Sequence, residues 1–239
     1  MVRSHRITLC SALAAVALLA VACVGADIYA RSRATHLLQD VRNVTLGRST
    51  EADISLIVRK HGREAGDAVG DGMCAHAGGT AHSVRITGGY LPFIHQRIPF
   101  FQSWAANADF LVQDGLACFA SYKLYVYSPN GGDIVLANQE SYQNHSVSSE
   151  GNTYSVSAKR IRNFDDLTTR LSLDANSETR QRAFDFDLSC LIRLGGCRAA
   201  CELMPSAWLD YQQKAKQEGW TLPADETGDS RCKKLAQPG

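Results

Sequence analysis

From Ile7 to Ala26 the chain runs for twenty residues without a charge, built mostly of Ala, Leu and Val. At about 1.5 Å of rise per residue, about 20 apolar residues cross a hydrocarbon core about 30 Å thick, so this run is long enough to span a bilayer. A core helix of a soluble domain needs a polar side, and the run offers none over about five turns. Tyr29 follows at the depth where aromatic residues anchor spanning helices. Whatever comes after must fold in the compartment that this segment selects.

Three readings of the run stand. The first is an uncleaved signal anchor over residues 1–30, touching the lipid bilayer through residues 7–29, because the run exceeds the about 7 to 15 residues of a signal-peptide core. The second is a signal peptide with a basic start at Arg3 and Arg6, cut after Val24-Gly25-Ala26 to release a secreted chain from Asp27. In the third, Leu19-Ala20-Val21-Ala22-Cys23 is a loose lipobox and the protein is lipid-anchored at Cys23. Arg31 and Arg33 balance Arg3 and Arg6, so loop charge does not orient the segment. With six residues ahead of Ile7, the larger C-terminal part is expected outside the cytoplasm, at the cell membrane or within the cell envelope.

About 209 residues follow the anchor, enough for one domain over 31–222 and a polar tail over 223–239. Beyond residue 30 there are 23 basic and 23 acidic side chains, a balance that carries no nucleic-acid footprint. Lys214, Lys216, Arg231, Lys233 and Lys234 gather near the end and read as solvated charge. Cys10 and Cys23 lie in the apolar run, leaving Cys74, Cys118, Cys190, Cys197, Cys201 and Cys232 outside it. In an oxidising compartment these six are disulfide candidates, with the pairing open. Zinc is the weaker reading, since Cys190, Cys197 and Cys201 lack Cys-x-x-Cys spacing and a neighbouring histidine. No metal or cofactor is expected.

Along the chain, the anchor helix is expected to continue through Leu37, Leu38 and Val41, with a short extended Val44-Thr45-Leu46 before Gly47. Thr50 and Asp53 make a capping-box pattern, and Ile54, Ile57, Val58 and His61 share one face of a helix ending at Gly62. A glycine-rich loop over 63–80 has no strand before it, so it is not read as a phosphate loop. Val84 and Ile86 mark a strand, and Leu91 to Phe101 is an apolar segment that caps a sheet or meets a partner. The clearest hairpin joins 110–113 to 116–127 through Asp114-Gly115, and Pro129 to Gly132 is a second turn. Further strands are expected over 134–137, 153–158 and 167–173, and a last one where Phe184, Phe186 and Leu188 alternate with Asp185 and Asp187. The two aspartates then share a solvent face rather than form an acid–base pair. Pro205 opens a helix with Trp208, Tyr211, Gln212 and Ala215 on one side until Gly219. Cys197 and Cys201 are expected on one helical turn, too parallel to bridge each other, and Cys232 to tie down the tail. The fold class is therefore α+β: an N-terminal transmembrane helix, then an antiparallel sheet with flanking helices.

The anchor, Gly47-Arg48-Ser49-Thr50 at the head of the first helix, and residues 183–208 resemble a family of uncharacterised membrane-anchored bacterial proteins over most of the chain. That resemblance implies no activity. A helix entered through Gly-x-Ser-Thr, followed by strands joined at Val112-Gln113-Asp114-Gly115-Leu116, is similar to the small outer-membrane assembly lipoprotein BamE, which implies a role in envelope assembly. The chain lacks Gly-x-Ser-x-Gly, His-Glu-x-x-His, a Walker loop and Cys-x-x-Cys. Two functions remain in view. One is an envelope interaction or assembly module with an envelope protein partner. The other is an extracytoplasmic hydrolase or metal enzyme, in which His76, His82 or His95 meets a carboxylate distant in sequence.

Overall fold

The computed structural model describes residues 2–62, 74, 79–88, 102–127, 133–143, 153–161, 164–193 and 196–219. Helix α1 (Val2–Asn43) passes without a break from the uncharged run into the folded domain. Leu13, Val16, Leu18, Leu19 and Val21 are exposed. Lower down, Cys23, Ala26 and Asp27 are half-buried, and Ala30, Ala34, Leu37, Leu38 and Val41 are buried. Steps of three and four residues keep these positions on one side of the helix, which is the side laid against the sheet.

The short strand expected at Val44–Leu46 does not form: Val44 and Thr45 are irregular and lead into a turn over residues 46–48. Its backbone groups are used singly: Gly47 donates to the Ala117 carbonyl at 2.8 Å and Ala117 to the Ser49 carbonyl at 2.8 Å. Gly47 takes φ 71°, the left-handed region that favours glycine. Helix α2 (Glu51–His61) then begins on the expected capping box, in which Thr50 N–H donates to Asp53 Oδ2 at 2.8 Å and Asp53 N–H to Thr50 Oγ1 at 3.3 Å. Ile54, Val58 and His61 are buried and Ile57 half-buried.

Six strands follow: β1 (Thr80–Gly88), β2 (Ser103–Gln113), β3 (Leu116–Tyr127), β4 (Asp133–Tyr142), β5 (Tyr154–Ile161) and β6 (Phe164–Ser172), in the order β1-β2-β3-β4-β6-β5. Asp114 at φ 53° and Gly115 at φ 77° make the tight β2–β3 turn. The sheet is not wholly antiparallel as expected, because β4 and β6 run parallel. After β4 the chain goes first to the edge position of β5 and then returns as β6 between them. Gly88 ends β1 under the ring of Trp104: a Cβ there would lie 2.2 Å from the indole Cε2.

Helix α3 (Ser177–Ala183), a 3-10 turn (Ser189–Ile192), α4 (Ala200–Leu203) and α5 (Pro205–Glu218) complete the described chain. Residues 184–188 are not a strand. Phe184 and Leu188 are buried and Asp185 and Asp187 exposed, as alternation requires, but their backbone bonds go to Arg180, Arg182 and Leu203 rather than to a ladder. The aspartates serve local ends: Asp187 Oδ1 accepts from Ser189 N–H at 2.8 Å and Asp185 Oδ2 from Ser206 Oγ at 2.6 Å. Cys197 precedes α4, so it does not share a helical turn with Cys201. It pairs with Cys190 (Cα–Cα 5.0 Å), and Cys74 pairs with Cys118 (5.7 Å). Cys201 is also disulfide-bonded, while Cys232 and the tail lie outside the described residues.

Every described helix packs on the same face of the sheet. Tyr122 donates from its hydroxyl to the Ala34 carbonyl at 3.2 Å, and Thr169 Oγ1 lies 3.4 Å from the Ala183 carbonyl. Trp104, Phe110, Tyr122, Leu124, Leu167 and Leu171 from the strands meet Leu37, Leu203 and Met204 in one core. Since the end of α1 joins the start of β3 while Ala34 lies over Tyr122, helix and strand run in opposite directions. Gly88, Ser103, Tyr127 and Asp133 therefore mark the sheet end toward the apolar run, and the Asp114-Gly115 turn marks the far end.

Candidate functional site

On the sheet's second face no described helix packs, and the side chains are mostly polar. Strand alternation and register set them in two rows across the strands. Ser83, Asp109, Ser121, Glu140 and Arg170 stand side by side on β1, β2, β3, β4 and β6, and Arg85, Asn107, Lys123, Asn138 and Thr168 form the row beside them. Toward the far end, Leu111, Phe119 and Tyr142 make a small apolar cluster around the Cys74–Cys118 bridge.

Two carboxylates of the first row, Asp109 and Glu140, organise both rows. Asp109 accepts from Ser83 Oγ at 2.9 Å, Lys123 Nζ at 3.1 Å and Ser121 Oγ at 3.4 Å. Glu140 accepts from Tyr142 Oη at 2.6 Å, Asn138 Nδ2 at 2.9 Å and Arg170 Nε at 3.0 Å. Burial of Glu140 works to raise its pKa, but the bonds from Tyr142 and Asn138 and the Arg170 charge outweigh it and hold the carboxyl below its ordinary range. Burial and the Glu140 charge both push the Tyr142 phenol up. For Lys123, burial favours the neutral amine, yet the Asp109 charge prevails and keeps it protonated. Glu140 is thus an ionised, fully engaged acceptor, the opposite of a general acid awaiting a substrate. Two buried side-chain oxygens next to Lys123 in register, Asn107 Oδ1 and Asn138 Oδ1, have no donor among the described residues.

The histidines considered from sequence do not gather here. His76 and His95 lie outside the described residues. His82 sits on β1 on the helix side, its Nε2 3.8 Å from Glu51 Oε1, beyond hydrogen-bond reach. His61 has a structural place: its buried Nε2 lies 2.6 Å from Asp40 Oδ2, which also accepts from Lys60 Nζ at 2.7 Å, and Arg33 donates to the His61 carbonyl. This clasp ties α2 to α1. Among the described residues no three His, Cys, Asp or Glu side chains converge as a metal-binding group.

The residues of the two rows were not singled out from sequence, although one signal was there. Extending the period of two from Val135 through Ala137, Gln139 and Ser141 puts Asn138, Glu140 and Tyr142 on the opposite face. The disulfide candidates fare better, since Cys74, Cys118, Cys190, Cys197 and Cys201 are all bonded and Cys23 in the apolar run is free. Comparison with protein-family models, with curated proteins and with solved structures finds no match for this chain.

Proposed function

We propose that this protein is a single-pass, membrane-anchored envelope interaction or assembly module. Helix α1 holds it in the bilayer, the domain lies outside the cytoplasm, and an envelope protein binds the second face of the sheet. The observation that carries the reading is the division of the sheet: every described helix packs on one face, and the other carries two ordered polar rows in which Ser121, Asn138, Glu140 and Thr168 are buried while Arg85, Lys123 and Arg170 reach solvent. Lys123 and Arg170, with side chains 23% and 42% exposed, give that face cations to offer a partner. The length of the uncharged run supports an anchor, and the similarity of the chain's entry and turn motifs to BamE supports an assembly role.

The test is a photoreactive residue placed in intact cells at Ser157, the exposed β5 neighbour of Thr168 on the second face, and, separately, at Leu209 on α5. Adducts with a discrete envelope protein from Ser157 alone, in a membrane fraction resistant to carbonate, are the expected result. Equal adducts from both sites, or none from Ser157, contradict the docking face. Release of a soluble species beginning at Asp27 contradicts the anchor.

A further inference from the structure

We propose that the domain is seated on the bilayer surface rather than held above it, through its near end, with Ile192 in contact with the lipid interface. The proposal rests on α1 being the membrane anchor. No linker separates the two parts, since α1 is one helix from Val2 to Asn43. From Ala34, level with Tyr122, back to Ala26 at the end of the uncharged run is about 12 Å of helix. From Tyr122 to the end of β3 at Tyr127 is about 17 Å of strand running the same way. The near end of the sheet therefore reaches the level at which the uncharged run begins. Half-burial of Cys23, Ala26 and Asp27 on the domain-facing side of α1 agrees, because protein lies alongside the helix at those positions.

The Cys190–Cys197 loop belongs to this end. Its 3-10 turn packs against α1, and Gly196 sits so close to Gln102, next to the start of β2, that a Cβ would lie 1.9 Å from Oε1. Leu191 is turned into the core, whereas its neighbour Ile192 is 42% exposed and followed by Arg193, which is exposed and ion-paired with Glu202 at 2.5 Å. An apolar side chain beside a basic one, on a loop closed by a disulfide, suits the headgroup boundary.

The experiment uses the full chain in phosphatidylcholine nanodiscs, with methyl-labelled Ile and Leu and a spin label carried near the top of the lipid acyl chain. Ile192→Leu assigns the Ile192 signal. Broadening of the Ile192 and Leu18 methyls, with Leu116 at the far end unaffected, is the expected result. Broadening of Leu18 while Ile192 stays as sharp as Leu116 overturns the seat and leaves the anchor standing. If Leu18 is not broadened either, the anchor falls and takes the seat with it.

Discussion

The two faces of this sheet are made by the same strands, one residue apart, and yet they carry opposite kinds of side chain. On β3, Leu124 is wholly buried beneath the helices while Lys123 reaches into the polar rows. On β4, Ala137 belongs to the core while Asn138 and Glu140 form an anion-centred network. The lesson is that stability and recognition are separated by a single step along the chain. Substitutions at adjacent positions should therefore fail in different ways.

The largest difference is expected between neighbours on β3. Leu124→Ala should cost about 2 to 5 kcal/mol in chemical denaturation, from lost burial and the cavity left behind. Disulfide loss should rank next, and unequally. In the chain-entropy account, the Cys74–Cys118 bridge spans 44 residues and is worth about 4 kcal/mol, against about 2.5 for Cys190–Cys197, which spans 7. Replacing each pair by Ala and comparing denaturation midpoints checks the order. A Cys190–Cys197 loss at least as costly would mean that its loop does more than close a short turn. Peptide mapping without reductant should also find Cys201 joined to Cys232, since Cys74, Cys118, Cys190 and Cys197 are already paired, Cys23 is free and Cys10 lies within the uncharged run.

Smaller effects sharpen the contrast further. Thr50→Ala, which removes the cap of α2, should cost about 1 kcal/mol. Glu140 gives a pH signature particular to the second face. Its folded pKa is depressed, so the stability it adds is full above its ordinary value of 4.5 and drains away as pH falls through the lower folded value. Unfolding curves below that pH should show Glu140→Gln losing less stability with acid than the parent does. Identical acid slopes would show that Arg170 and Tyr142 do not hold the carboxylate as described.

Much of the frame was legible because local signals and packing agreed. The capping box at Thr50, the Asp114-Gly115 turn, and the Pro205 to Gly219 helix each combine a backbone requirement with a matching apolar side. β2 was read from Phe110 although it starts at Ser103, because Ala105, Ala106 and Ala108 lack β-formers; Ala106 and Ala108 are small where α1 packs close. β4 was cut at Ala137 because Gln139 and Ser141 look like loop residues, yet both are buried, with Gln139 Nε2 donating to Ser141 Oγ at 2.8 Å. The parallel pairing of β4 with β6 depends on where β5 settles, which no local pattern encodes. The candidate site was less legible still, since Asp109, Lys123, Glu140 and Arg170 become neighbours only through the register of four strands.

The most direct test combines both readouts in one variant, Lys123→Ala, with the photoreactive residue at Ser157. Loss of the half-buried Asp109 pair should cost about 1 kcal/mol, leaving the domain folded. The account predicts a melting curve near the parent's together with loss of the envelope adduct. An adduct that persists at parental yield in the folded variant would contradict it.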